Sequence, residues 1–150
     1  TPAGTVCSQL TILGDFIATC AELTGVELKK EEGEDSVSVL PLLQGETDAP
    51  VREFAIHHSA HGNFAIRKGE WVFIDAPSGD DNQEPGWFKE ERGYTPHDCP
   101  GELFNLRDDV SERENLYDEF PEVVQELSLL LGRVKPGDID SRSSPAHESE

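Results

Sequence analysis

Methionine is missing from the 150 residues, cysteine occurs only three times, and 12 Lys and Arg face 31 Asp and Glu. A chain that opens at Thr1 with no methionine anywhere reads as a fragment or processed product. Scarcity of basic residues leaves a formal net charge of −19, which excludes a general nucleic-acid binder because a phosphate backbone would repel it. Such acidity serves solubility, or a saline environment, more often than a site. Cys7, Cys20 and Cys99 are odd in number, widely spaced and without a CxxC pair. Neither a disulfide framework nor a zinc knuckle is indicated, and at most one pair can close. Cysteine commonly packs as a small apolar residue, and Cys20, on an apolar helical stripe, is expected to be buried. No apolar run approaches the length of a membrane span, and the first residues carry no positively charged region. GxSxG, P-loop and HExxH patterns are also missing.

What remains is enough for a folded unit. Hydrophobic residues make up 35% and charged residues 29%, and a chain of this length buries roughly two thirds of its unfolded surface. Over residues 8–25, Leu13, Phe16, Ile17, Cys20 and Leu23 recur at three- and four-residue steps, with Asp15 placed to cap the first turn and Gly25 to end it. That spacing predicts a short amphipathic helix. A charged connector follows, then a helical turn over 36–43 that tolerates Pro41 and closes at Gly45. Residues 54–58, 64–67 and 71–74 are short β-rich runs broken by Gly62-Asn63 and Lys68-Gly69-Glu70, as in an antiparallel meander. Residues 77–101 hold four prolines and cannot be regular throughout, and Trp87, Phe88 and Tyr94 are expected to anchor them. A fourth strand is expected at Glu102-Leu103-Phe104-Asn105-Leu106. A final helix opens at Pro121, carries a Val123, Val124, Leu127, Leu130 and Leu131 stripe, and stops at Lys135-Pro136-Gly137. The expected class is α+β: a four-stranded antiparallel sheet packed against a C-terminal helix.

Ionisable side chains are densest at His57-His58-Ser59-Ala60-His61. Imidazoles ligate metals or donate to oxyanions, but neighbouring strand residues point to opposite faces, so His57 and His58 cannot readily share one ion. A zinc enzyme would need His57, His58 and His61 to converge. Asp80-Asp81-Asn82 offers oxygen ligands without the spacing or closing Glu of an EF-hand, and reads as a solvated turn. Arg67 and Lys68 flank a hairpin turn on opposite faces, with Lys68 read as surface charge.

An ordered series of phrases narrows these readings. It begins with Leu13-Gly14-Asp15-Phe16-Ile17-Ala18-Thr19 and Gly33-Glu34-Asp35-Ser36-Val37-Ser38-Val39-Leu40-Pro41-Leu42-Leu43-Gln44-Gly45. Phe64-Ala65-Ile66-Arg67-Lys68-Gly69-Glu70-Trp71 follows, then Gly101-Glu102-Leu103-Phe104-Asn105-Leu106-Arg107-Asp108-Asp109 and Glu112-Arg113-Glu114-Asn115-Leu116. The series resembles the C-terminal portion of a type I sulfatase of the arylsulfatase A group, in the alkaline-phosphatase-like superfamily. On that resemblance, residues 1–45 are the end of the large α/β domain, including its last helix, and a connector. Residues 46–137 are the C-terminal subdomain, and 138–150 form a disordered tail.

Sulfatases of this type hydrolyse sulfate esters with a formylglycine made from the Cys or Ser of a C/S-x-P-x-R motif. A calcium ion and basic residues hold the sulfate while charge builds on its oxygens. None of the three cysteines here stands in that motif, and Ser143-Ser144-Pro145-Ala146-His147 ends in His instead of Arg. The resemblance therefore implies that the nucleophile and the calcium carboxylates lie upstream of the matched region, and that this chain alone is inactive. Calcium and formylglycine are expected in the complete enzyme and no cofactor in this chain. It implies that the first strand and the long loop help shape the substrate pocket, which makes His57, His58 and His97 the candidate substrate-binding residues. The family often has Lys after the hairpin Trp, where Val72 stands here as a packing residue. Implied partners are the missing N-terminal sulfatase region and a sulfated small molecule or sulfated carbohydrate, with neither nucleic acid nor membrane, in the periplasm or outside the cell. The competing reading is a non-catalytic interaction module derived from the same subdomain.

Overall fold

The computed structural model describes residues 3–46, 49–60, 62–77, 85–93 and 97–134. His61, Asp80, Asp81, Asn82, Tyr94, Lys135 and the residues that follow, with the 143–147 motif and the expected tail, lie outside the described residues. The chain divides into two compact units, residues 1–55 and 56–150.

The first unit is built on helix α1 (Asp15–Thr24), with the single-turn helix α2 (Leu40–Gln44) packed against it. Both end on a left-handed glycine, Gly25 at φ 70° and Gly45 at φ 75°, where a side chain would be strained. Pro41 sits in the first turn of α2, where its missing N–H has no intrahelical role. The beginning of α1 differs from the sequence expectation. Asp15 is the first helical residue and its carboxylate accepts backward, from the Ile12 N–H at 2.8 Å. The N-cap is Gly14, without a side-chain cap of its own. Ser36 replaces that cap from a distance: its hydroxyl accepts from the Ala18 N–H at 2.9 Å and donates to the Gly14 carbonyl at 2.7 Å.

The face that α1 buries is also corrected. Asp15, Thr19 and Ala21 are enclosed, while Leu13, Phe16, Ile17 and Leu23 are 84%, 62%, 52% and 68% exposed. Cys20, expected to pack inward, is exposed with that stripe. The hydrogen-bonding needs of the 36–39 segment turn the helix this way, because the Thr19 hydroxyl accepts from the Val39 N–H at 3.0 Å and Asp15 from the Val37 N–H at 3.0 Å.

The sheet is a four-stranded antiparallel meander in the order β1 (Phe54–His58), β2 (Phe64–Lys68), β3 (Trp71–Ile74), β4 (Glu102–Asn105). The β2–β3 hairpin closes through Gly69-Glu70, with Gly69 at φ 59°, as a two-residue turn with glycine first requires. Rows of directly paired residues, Ile66–Phe73–Leu103 and Arg67–Val72–Phe104, alternate between the two faces. Helix α4 (Pro121–Val134) packs on β2 and β3 with Leu127 and Leu131 buried, Phe120 against Trp71 at 5.1 Å, and Lys68 paired with Glu126. Val72 lies in the core, the packing role expected of it.

Between β3 and β4 lies a further helix, α3 (Gly86–Arg92). Trp87 and Phe88 do not anchor this stretch. They meet edge-on at 5.6 Å and stay exposed, Trp87 by 65% and Phe88 by 37%.

Candidate functional site

β1 carries two of the three candidate histidines. His57 and His58 are exposed at its end, on opposite faces of the strand. His58 Nδ1 lies 2.9 Å from the Ser59 carbonyl, which can only accept, so the proton sits on Nδ1 and the neutral ring offers Nε2 as an acceptor. Its ring lies 5.7 Å from that of Phe64 across the hairpin.

His97 is a different kind of residue. Its side chain is 12% exposed, and its Nδ1 accepts from the Cys99 N–H at 3.2 Å. Nε2 then carries the proton toward the Glu102 carboxylate, 3.1 Å away and itself buried. A carboxylate so placed fixes both tautomer and ring plane. Beside it, the Cys99 thiol lies 3.4 Å from the Asp118 carboxylate. Desolvation, with the negative charge of Asp118, Asp98 and Glu102, pushes the thiol up from its ordinary value. A thiol so disfavoured as thiolate is a poor nucleophile.

His97 lines a cleft of about 320 Å³ with Gly93, Arg113, Glu114, Asn115 and Glu119. Asn115 holds the wall together. Its carbonyl oxygen accepts from the Leu103 and Tyr117 N–H groups at 2.9 and 3.0 Å, and its amide donates to the Gly101 carbonyl at 3.1 Å. Among the described residues the charged lining is Arg113 with the carboxylates of Glu114 and Glu119. Arg113 and Asn115 escaped notice as site residues because their phrase carries no ligand spacing; only tertiary folding puts them beside His97. Among the described residues no group of three or more His, Cys, Asp and Glu side chains could hold a metal ion. His57 and His58 form no such centre with His97.

Known proteins give this geometry its context. The chain is 36% identical over 124 residues to a curated N-acetylgalactosamine-6-O-sulfatase of Bacteroides thetaiotaomicron. The chain is a sulfatase homologue. The match takes in 81% of this chain and 22% of that relative, so the chain spans about a fifth of the sulfatase's length, as a C-terminal piece would. A solved structure from the same organism, a 6S-sulf protein described with the metabolism of multiple glycosaminoglycans, is 33% identical. It superposes with a TM-score of 0.61 over 80% of this chain and 24% of its own. A third, a 2-O GAG sulfatase, shares the fold at 19% identity and a TM-score of 0.55, over 88% of this chain and 27% of its own. No family model matches the chain. The α+β sheet-and-helix architecture is thus one that sulfatases use for about a quarter of their length.

Proposed function

We propose that this chain is the C-terminal part of an exported sulfatase acting on a sulfated carbohydrate, and that it supplies packing and one wall of the substrate pocket. The 36% identity to an N-acetylgalactosamine-6-O-sulfatase carries this reading. Residues 1–45 end the large domain, 46–137 form the C-terminal subdomain, and 138–150 are its tail. Because the chain matches 2-O and 6-O enzymes alike in fold, the position of the sulfate is selected by side chains and not by the architecture.

The described residues do not fit the family's catalytic groups. None of the cysteines lies in a C/S-x-P-x-R motif, and among the described residues no donor set for calcium converges. On this reading the formylglycine, the calcium ion and the cations that neutralise sulfate are supplied by the remainder of the enzyme. With a formal charge of −19 and an acidic cleft, this part meets the neutral face of the sugar. His57 and His58 are the side chains offered to substrate, His58 accepting a sugar hydroxyl at Nε2. His97 shapes the cleft wall that Glu102 holds in place. No helix among the described residues is long and apolar enough to cross a membrane.

The competing reading is a free-standing interaction module. It is disfavoured by the exposed apolar stripe of α1, which an independent module would cover. The deciding experiment is hydrolysis of an aryl sulfate and of 6-sulfated N-acetylgalactosamine, with calcium, by the 150-residue chain and by the chain extended upstream in its own reading frame. Activity is expected only in the extended chain. Turnover by the short chain would overturn the assignment of the nucleophile, and an inactive extended chain would overturn the sulfatase reading.

A further inference from the structure

Trp87 and Phe88, singled out in the sequence as anchors, stand in solvent on α3. Their rings meet with planes at 75° and form an aromatic corner. A helix built to close against protein carries its apolar residues on through successive turns. Helix α4 does so with Val123, Val124, Leu127, Leu130 and Leu131, whereas the positions one turn beyond the aromatic pair are Glu90, Glu91 and Arg92. Both glutamates are exposed. The corner is therefore an isolated aromatic surface bordered by hydrogen-bond acceptors, not one end of a core stripe. Helix α3 is also tied to the cleft. Its first turn is closed by the Phe88 N–H donating to the Pro85 carbonyl at 2.9 Å, and its last by the Gly93 N–H donating to the Glu90 carbonyl at 3.1 Å. Gly93, at φ 70°, lines the cleft, where a Cβ would lie 3.9 Å from the Arg113 Cδ. At the helical rise per residue, Trp87 lies about 9 Å along the axis from Gly93, within the reach of two linked sugar rings.

We propose that Trp87 and Phe88 are a stacking platform for an uncharged pyranose ring, and that the chain thereby recognises an oligosaccharide through a sugar unit next to the one in the cleft. The proposal rests on the reading of the substrate as a carbohydrate. A pyranose ring presents C–H groups on its faces and hydroxyls around its rim. Laying a C–H face on an aromatic ring removes apolar surface from water and sets slightly positive C–H groups against the negative ring face. One helical turn on, the Glu90 and Glu91 carboxylates supply acceptors for rim hydroxyls. The same carboxylates repel a sulfate or a uronate, so the stacked unit is an uncharged one. A second copy of the chain is a poor occupant, because a net charge of −19 on each repels at close range.

Calorimetric titration of the 150-residue chain measures binding, with a neutral tetrasaccharide of galactose and N-acetylhexosamine compared with free N-acetylgalactosamine. Acrylamide quenching of Trp87 fluorescence reads occupancy of the platform, with Trp71, half-buried against Phe120, as the internal reference. The tetrasaccharide is expected to bind more tightly than the monosaccharide and to shield Trp87. Trp87→Ala should weaken tetrasaccharide binding about tenfold or more with little change in Tm, and Trp87→Tyr, which keeps an aromatic face, should restore most of it. Equal affinities in the native chain and Trp87→Ala would overturn the proposal. So would a failure to bind at the highest soluble sugar concentration. A Trp87 already shielded from acrylamide in the upstream-extended chain without sugar would also overturn it, since polypeptide would then be the occupant. Hydrolysis is read separately in the extended chain. An active enzyme whose KM for a 6-sulfated tetrasaccharide is unchanged by Trp87→Ala sinks the platform alone. An inactive extended chain that retains Trp87-dependent sugar binding sinks the sulfatase reading alone.

Discussion

Asp15 is the residue through which the first unit is tied together. Burial alone would push its carboxyl up. The hydrogen bond from Arg52, the Ile12 and Val37 N–H groups and the Arg52 charge outweigh this and hold it below the ordinary 3.8. Arg52 also donates to the Asp35 carbonyl at 2.6 Å, so one guanidinium clamps two distant segments. Both partners are enclosed, with side-chain exposures of 11% and 1%. Removing one leaves the other uncompensated, and Arg52→Ala is expected to cost the first unit about 3–5 kcal/mol in denaturant unfolding. A depressed folded-state value means that the stabilisation is complete above the unfolded value of 3.8 and is lost as pH falls below it toward the lower folded value. Acid unfolding in that window should be steeper in the native chain than in Asp15→Asn, which is weaker at neutral pH and has no such carboxylate to protonate. Equal acid limbs would show that the pair contributes nothing.

Elements here are set by short-range rules and then tightened where they meet. Gly101 illustrates the second step. It is buried just before β4, and a Cβ there would lie 2.9 Å from the Tyr117 ring and 3.0 Å from the Ile74 carbonyl oxygen. The ring could yield but the backbone oxygen of β3 could not, so Gly101→Ala should separate β3 from β4 and cost about 1–3 kcal/mol. Calorimetric melting of the pure variant checks this, and an unchanged Tm would mean that the strands relax freely. By contrast, the Lys68–Glu126 pair between β2 and α4 is 43% and 59% exposed, and its loss should cost less than about 1 kcal/mol. The apolar contacts of Leu127 and Leu131, buried to within 2%, are what fix that helix on the sheet.

At the scale of the molecule the dominant fact is charge. Nineteen uncompensated negative charges repel one another across a small surface, which destabilises the folded state and keeps copies apart. Screening weakens this over about 10 Å at 0.1 M salt, so the melting temperature of the chain should rise by several degrees between low salt and about 0.5 M sodium chloride. A flat or falling curve would mean that local pairs such as Arg107–Glu70 outweigh the long-range repulsion.

Patterns confined to a few neighbouring residues were legible in the sequence. The alternation and glycine-bearing turns around residues 54–74 marked three strands to within a residue, and Pro121 with its apolar stripe marked α4. Turn chemistry and hydrophobic period act over a few residues and need no partner. The ordered phrases likewise identified the sulfatase resemblance, because sequence similarity is itself a local property. Direction and company were settled only by the tertiary structure. Period alone says that α1 has an apolar face, not that Asp15, Thr19 and Ser36 would turn that face, and Cys20 with it, to solvent. The aromatic side chains of Trp87 and Phe88 suggested anchors, yet both stand exposed. The cleft joins His97 to Arg113 and Asn115 across the β4 turn. Burial and proximity of that kind depend on which distant backbone groups compete for the same hydrogen bonds, and only the folded chain resolves that competition.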